Sequence, residues 1–235
     1  METRDIMRLY NLPEEVHYCK ECVISNQRPR ITFDSRGVCN ACNYAKRKYA
    51  EVDWEERERE LLDLLARFRK NDGSFDVIVP SSGGKDSSIV AHELKYKYGM
   101  HPLTVTWSPF IHTEVGWANF QAFIKAGFDN VLGSANGQVH RRMTALCFRE
   151  MGEPFQPFIY GQISFPLQMT VKYNVPLIMS GENGEEEYGG DSSASGSKGF
   201  DLEQSLKYWY SNAPVEQWLD YGFTKQDLQF YRPPS

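Results

Sequence analysis

From Gly73 onward, short apolar runs alternate with helical patterns, and this alternation constrains the chain more than any other feature. "FDVIVP" (75–80) reads as a buried strand, "SSIVAHELKYKYG" (87–99) as a helix, and "HPLTVTW" (101–107) as a second strand. "TEVGWANFQAFIKAGF" (113–128) follows as a helix, "DNVLGS" (129–134) as a third strand and "GQVHRRMTALCFREMG" (137–152) as a third helix. Residues 153–173 are interrupted by prolines and partly helical, and "VPLIMSG" (175–181) is another short strand. Strands alternating with helices of this length imply crossover connections and a parallel sheet covered on both faces. The fold class expected is α/β, Rossmann-like, over residues 73–200.

The flanking segments differ in texture. Residues 1–50 contain two C-x-x-C pairs and no apolar helical period. Residues 51–72 read as a connecting helix, with Asp53 as N-cap, Glu56 three residues on, and Trp54, Leu61, Leu62, Leu65 and Phe68 near helical spacing. Its charges form a solvated face. Residues 201–235 read as a helical extension, with "APVEQWLDYG" (213–222) amphipathic and a second helix opening at Thr224 with Asp227 as its partner. The small-residue run "GDSSASGSKG" (190–199) cannot build a core.

The net charge of -5 gives the chain no overall cationic field for nucleic acid. Residues 19–50 hold the one basic patch, seven Lys and Arg against two Asp and Glu. No apolar run approaches the roughly 18 residues that cross a bilayer, and "METRDIMRLY" lacks the order of a secretory signal. A cytoplasmic protein, with no membrane partner, is expected.

Cys19-x2-Cys22 and Cys39-x2-Cys42, sixteen residues apart, have the spacing of a four-thiolate zinc site. Four soft ligands close a tetrahedral ion, so the zinc would be structural and would order a segment without a core. Cys147 stands alone between Leu146 and Phe148 and reads as a buried core thiol.

"SSGGKDS" (81–87) joins the first strand to the first helix of the sheet region. Such a turn presents unpaired N–H groups and the helix dipole at one point, which attracts phosphate. Gly83 and Gly84 clear the approach, Ser81, Ser82 and Ser87 add hydroxyls, and Lys85 adds a cation. A Walker loop would need glycine at 79 and serine or threonine at 86, where Val79 and Asp86 stand. A carboxylate at Asp86 is repulsive to phosphate unless it holds magnesium or fixes the loop. Ligands of an open parallel sheet sit beyond the carboxyl ends of its strands. Thr106 and Trp107 end the second strand and would line an adenosine. "SGENGEEEYGG" (180–190) follows the last strand: Gly181 frames a turn in which Glu182, Asn183, Glu186 and Glu187 offer hard oxygen ligands for magnesium.

"SGGKDS" resembles the pyrophosphate loop of the N-type ATP pyrophosphatases. The resemblance implies cleavage of ATP between the α and β phosphates, AMP transfer to a substrate oxygen, and displacement of AMP by nitrogen or sulfur. It makes Lys85, Asp86, Glu182 and Glu186 the catalytic set, with Asp86, Glu182 and Glu186 on magnesium and Ser81–Ser87, Thr106, Trp107 and Gly181 on ATP. With "CKECVISNQRPRITFDSRGVCNAC" (19–42) and "VTWSPFIHTEVGWANF" (105–120), the chain resembles the N-acetyl sugar amidotransferases of bacterial surface-polysaccharide synthesis. These are the enzymes of lipopolysaccharide O-antigen and of pseudaminic or legionaminic acid pathways. That resemblance implies conversion of an acetamido group on a nucleotide-linked sugar to an acetamidino group. Ammonia would come from a glutaminase partner resembling the histidine-biosynthesis pair, since no Cys–His glutaminase machinery is evident around Cys147.

His112, Thr113, Asn119 and Asn183 are the sugar-binding candidates, with Arg141, Arg142 and Lys198 facing the acidic parts of a nucleotide sugar; Trp117 and Phe120 read as packing residues. A tRNA thiolase shares the zinc segment and the loop, but needs reactive cysteines in the ATP domain, and the acidic chain argues against a nucleic-acid partner. A degenerate nucleotide-binding scaffold is the non-enzymatic alternative. Amidotransferases of this kind continue past "YRPPS", which implies a C-terminus truncated or altered in this chain.

Overall fold

The computed structural model describes residues 7, 12–28, 30–182, 209–211 and 213–234. They divide into two compact units, one ending at Arg59 and one beginning at Glu60.

In the first unit, two hairpin-like turns place the cysteines. Tyr18 bridges Ser25 and Phe33 bridges Cys39, both antiparallel. Asp34 organises the second turn by accepting from the backbone N–H groups of Arg36 (2.9 Å) and Val38 (3.0 Å) and from the Arg36 and Asn43 side chains. Those donors, the Arg36 guanidinium first, hold its carboxyl well below the usual carboxylate range. Helix α1 (Asn40–Glu51) follows, and it buries no residue. Sequence periodicity gives no hint of it, because its start is set by Cys39, whose sulfur caps the Cys42 amide. Helix α2 (Trp54–Phe68) begins where expected, with the Asp53 carboxylate accepting from the Glu56 amide at 3.0 Å.

The second unit is built on a parallel sheet, three-stranded among the described residues, in the order β1 (Val77–Pro80), β2 (Pro102–Trp107), β3 (Asp129–Gly133). Val77 pairs with Pro102, and Leu103 with Asp129. The expected strand at 175–181 contributes a single parallel bridge, Ile178 to Ile78, on the other side of β1. Helices α3 (Lys85–His92), α4 (Glu114–Lys125) and α5 (Gly137–Met151) are the crossovers, and α6 (Gln156–Tyr173) runs through Pro166 as one helix. The α3 pattern widens into a π-turn over Glu93–Lys97.

The period-2 alternation of the strands sorts the core. Ile78, Leu103, Val105 and Trp107 face a cluster with Met143, Cys147, Tyr160, Phe165, Trp218 and Tyr231. Val77 and Val79 face the other side, with Leu65, Ala91, Leu94 and Phe123. The sheet is thus covered on both faces, as an all-parallel sheet requires. Two expectations for the tail are corrected. Val215–Tyr221 is a 3₁₀ helix ending at Gly222 (φ 79°), and the segment opened by Thr224 yields only turns and the short 3₁₀ stretch Gln229–Tyr231. Trp218 and Tyr231 are drawn into the core at this spacing, so burial overrides the α-helical pattern. Among the described residues no helix is long and apolar enough to cross a membrane.

Candidate functional site

The loop between β1 and α3 is folded on its own serines. Ser81 Oγ accepts from the Gly83 amide at 3.3 Å and lies 3.2 Å from Ser87 Oγ, while the Ser87 hydroxyl donates to the Gly84 carbonyl. Gly84 is the N-cap of α3 and supplies no side-chain acceptor, so the amides of the first helical turn face outward with the dipole behind them. Two glycines are dictated by close approach. Gly83 has φ +79°, and a Cβ there would stand 2.9 Å from Phe120 Cα. At Gly181 a Cβ would stand 2.6 Å from the backbone C and O of Asp86. Gly181 therefore lets the segment after residue 179 touch the first turn of α3, which sets Glu182 beside the loop.

Lys85 Nζ and Asp86 Oδ1 are 2.7 Å apart in an exposed ion pair. The pair itself contributes little stability. Its importance is that both charges stand at the mouth of the helix. Asn183 and Glu186, with Glu185 and Glu187, lie outside the described residues, as do Lys198 and the 190–199 run.

A cleft of about 360 Å³ opens beside this loop, within the size range of small-molecule sites. It brings together Ser82, Gly83 and Gly84 from the loop, Thr106 from the end of β2, His112 and Thr113 from the connection into α4, and Asn119 from α4 itself. Phe120 also lines it, although it is 4% exposed. Thr113 caps α4 by accepting from the Gly116 amide at 3.0 Å. Trp107 corrects the sequence expectation. Its ring lies in the core against Phe165, Phe230 and Tyr231, and a Cβ at Gly161 would fall 2.1 Å from its Cε2. Thr106 alone of that pair lines the cleft. Arg142 is likewise committed elsewhere: it donates to the Tyr221 and Gly222 carbonyls and lies over the Phe223 ring, tethering the tail.

Two participants escape the sequence reading. Asn130 on β3 donates through Nδ2 to both Thr104 and Thr106 Oγ1, at 2.9 Å each, which leaves the Thr106 hydroxyl proton for a ligand. Ser108 lies 3.1 Å from His112 Nε2. Neither residue belongs to a motif; only the pairing of β2 with β3 and the bend after Trp107 reveal them.

In the first unit, the sulfurs of Cys19, Cys22, Cys39 and Cys42 all lie within 4.8 Å of one another, a set that could hold a metal ion. Burial works against ionising Cys19, but backbone N–H groups of Cys22, Cys39 and Glu21 outweigh it and bring the thiol down to about 6. Amides donating to sulfur are what a thiolate ligand requires, so the donor chemistry fits zinc. Burial raises Cys39 and Cys42. The basic excess of this region is partly internal, since Arg36 pairs with Asp34 and Lys46 with Glu21.

No family model matches the chain. An uncharacterised protein of Methanocaldococcus jannaschii is 30% identical over 88 residues, which are 37% of this chain and 31% of that protein, so the chain matches under a third of that relative's length. Among solved structures, NMN synthetase from Francisella tularensis superposes over 79% of this chain and 76% of its own, with TM-score 0.45 and 16% identity. NH3-dependent NAD synthetase from Campylobacter jejuni covers 78% and 99%, with TM-score 0.44 and 13% identity. A predicted subunit of tRNA methyltransferase from M. jannaschii covers 58% of this chain and 64% of its own, with TM-score 0.37 and 21% identity.

Proposed function

We propose that the chain is an ATP pyrophosphatase-type adenylating enzyme that activates the acetamido oxygen of a nucleotide-linked N-acetyl sugar and replaces it with ammonia. The observation that carries this reading is the shared cleft. Loop amides and the uncapped start of α3 stand next to Thr106 and to the polar residues His112, Thr113 and Asn119. An anion-binding helix start beside a polar acceptor pocket is what transfer of AMP to a neutral amide oxygen needs.

In this reading the amide oxygen attacks the α phosphorus. The amides of Lys85 to Ser87 and the Lys85 ammonium stabilise the departing pyrophosphate. The O-adenylyl imidate then carries AMP as a leaving group, and ammonia from a glutaminase partner displaces it. Asp86 and Glu182, with Glu186, would hold magnesium, whose charge offsets that of the phosphates. Zinc on the four cysteines would serve structure only, its coordination being closed.

A tRNA-thiolating activity is less well supported. Burial pushes the Cys147 thiol up to about 12, with the Glu153 carboxylate adding to it, so this buried residue is a poor sulfur carrier. The test is pyrophosphate release from ATP with UDP- or CMP-linked N-acetyl sugars and ammonium. AMP and pyrophosphate formed only when sugar is present support the reading; ADP as product, or indifference to every sugar, refutes it.

A further inference from the structure

Ser108 has one hydroxyl proton and two close polar neighbours. Its Oγ lies 3.0 Å from the Pro109 carbonyl oxygen and 3.1 Å from His112 Nε2. A carbonyl oxygen can only accept, so the serine proton goes to Pro109. The contact with the imidazole then needs the ring to donate, which puts the His112 proton on Nε2 and the lone pair on Nδ1. The ring plane is fixed as well. Trp117 meets it edge to face with centroids 4.9 Å apart, and Trp117 is itself backed by Phe120 at 5.5 Å. The Ser108 amide donates to the Gly133 carbonyl at 2.8 Å, anchoring the serine to the end of β3. His112 lines the cleft beside Ser82, Gly83 and Gly84.

We infer that His112 is the proton acceptor for the ammonia step, held in its Nε2–H form by Ser108 and Trp117. The inference rests on the proposed amidotransferase reading. When ammonia attacks the protonated imidate, its lone pair forms the new C–N bond and the C=N π pair moves to the sugar nitrogen. The tetrahedral centre then carries an ammonium group. His112 Nδ1 takes one proton from it. The freed pair re-forms a C=N bond as the C–O bond to AMP breaks, and AMP leaves with that bond's electrons, giving the amidinium product. Without a proton acceptor the adduct expels ammonia, the better leaving group in its charged form. The other titratable side chains on α3 and α4 are Lys85, Asp86, His92, Glu114 and Lys125, with Glu182 beside the loop; none of them lines the cleft, and Lys85 and Asp86 are paired with each other. His140, which packs on Phe110 of the same connection, is buried and bonded to Tyr231. His112 is therefore the one imidazole lining the cleft among the described residues.

Two measurements test this on the full-length protein. Nitrogen-15 spectra of histidine-labelled protein, with His112 assigned through His112→Gln, should show the Nε2–H tautomer in the wild type and a tautomer mixture in Ser108→Ala. A wild-type Nδ1–H signal overturns the inference whatever the reaction. In the second, ATP–pyrophosphate exchange reports adenylation and amidine formation reports the ammonia step. His112→Ala should depress amidine formation about 100-fold more than it depresses exchange, the scale of a lost general base, whatever exchange itself loses from the acceptor pocket. Ser108→Ala should lower kcat about tenfold with KM unchanged, and Ser108→Thr should restore it. Equal loss of both half-reactions in His112→Ala, or a Ser108→Ala enzyme like the wild type, overturns the proposal. Absence of sugar-dependent exchange in the wild type itself refutes the amidotransferase reading, and the base role with it.

Discussion

The cysteine-bearing unit and the sheet unit face the same entropic cost of ordering a chain, and they differ in what they have to offset it. The buried apolar set of the first is Cys19, Ile31, Val38 and Cys39. Burying Ile31 and Val38 contributes roughly 3–6 kcal/mol, while ordering each backbone residue costs about 1–2 kcal/mol. Two aliphatic side chains cannot hold a segment of this length. The sheet unit instead sandwiches β1–β3 between two apolar clusters and needs no external ligand to close. The difference teaches where to look for dependence: the first unit should answer to thiol chemistry, the second to packing volume.

The sharpest break between them should come from the cysteines. Cys39 is both a member of the sulfur cluster and the cap of α1, so Cys39→Ser removes a ligand and disturbs a helix start together. Structural zinc in small domains supplies on the order of 10 kcal/mol. We expect one zinc per wild-type chain by atomic emission and little in the variant. Protease cleavage within residues 12–51 should accelerate at least tenfold, while the main unfolding transition of the sheet unit stays near its wild-type temperature. Unchanged cleavage would show that the first unit is not organised by metal and would erase the contrast.

The complementary perturbation is Gly161→Ala. A Cβ at this position of α6 would come within 2.1 Å of Trp107 Cε2, and the tryptophan is itself enclosed by Phe165, Phe230 and Tyr231. Overpacking of this kind costs about 3 kcal/mol where neighbours cannot yield. Denaturant unfolding should register that loss with zinc content unaltered. Stability within 0.5 kcal/mol of wild type, roughly the scatter of a neutral surface change, would mean that the core around Trp107 is looser than its geometry states.

What the sequence disclosed follows the same division. Short apolar runs between helical patterns located β1, β2 and β3, most strongly β1 and β2, whose burial on both faces leaves a trace in composition. The glycine loop was legible because Gly83 answers a local backbone demand, a positive φ. Helix α1 was not, since a helix that buries nothing writes no apolar period and is started by a cysteine whose role only the folded knuckle reveals. Trp107 was misplaced for a related reason: it ends β2 next to Thr106, and a one-residue step along a strand exchanges the cleft for the core. Asn130 and Ser108 contact the site across strand pairs and a bend, information that no linear motif carries.

The third perturbation concerns a titratable group buried in the sheet unit. His140 of α5 is 4% exposed, takes a 2.9 Å hydrogen bond between Nδ1 and the Tyr231 hydroxyl, and packs edge to face on Phe110. Burial holds its pKa down at about 4, against an ordinary value of 6.5. The folded state therefore binds fewer protons than the unfolded chain between those values, and the linkage slope makes stability rise with pH there. The contribution is complete above about pH 6.5 and is lost as pH falls towards 4. Unfolding temperatures measured from pH 7 to pH 4 should fall for the wild type. They should fall less steeply for His140→Phe, which leaves nothing to protonate at that position. Tyr231→Phe should cost about 1 kcal/mol at neutral pH through the lost hydrogen bond while keeping the acid dependence, since burial and not the tyrosine is what depresses the imidazole. A His140→Phe variant with the wild-type slope would remove the buried imidazole as the source of the acid sensitivity.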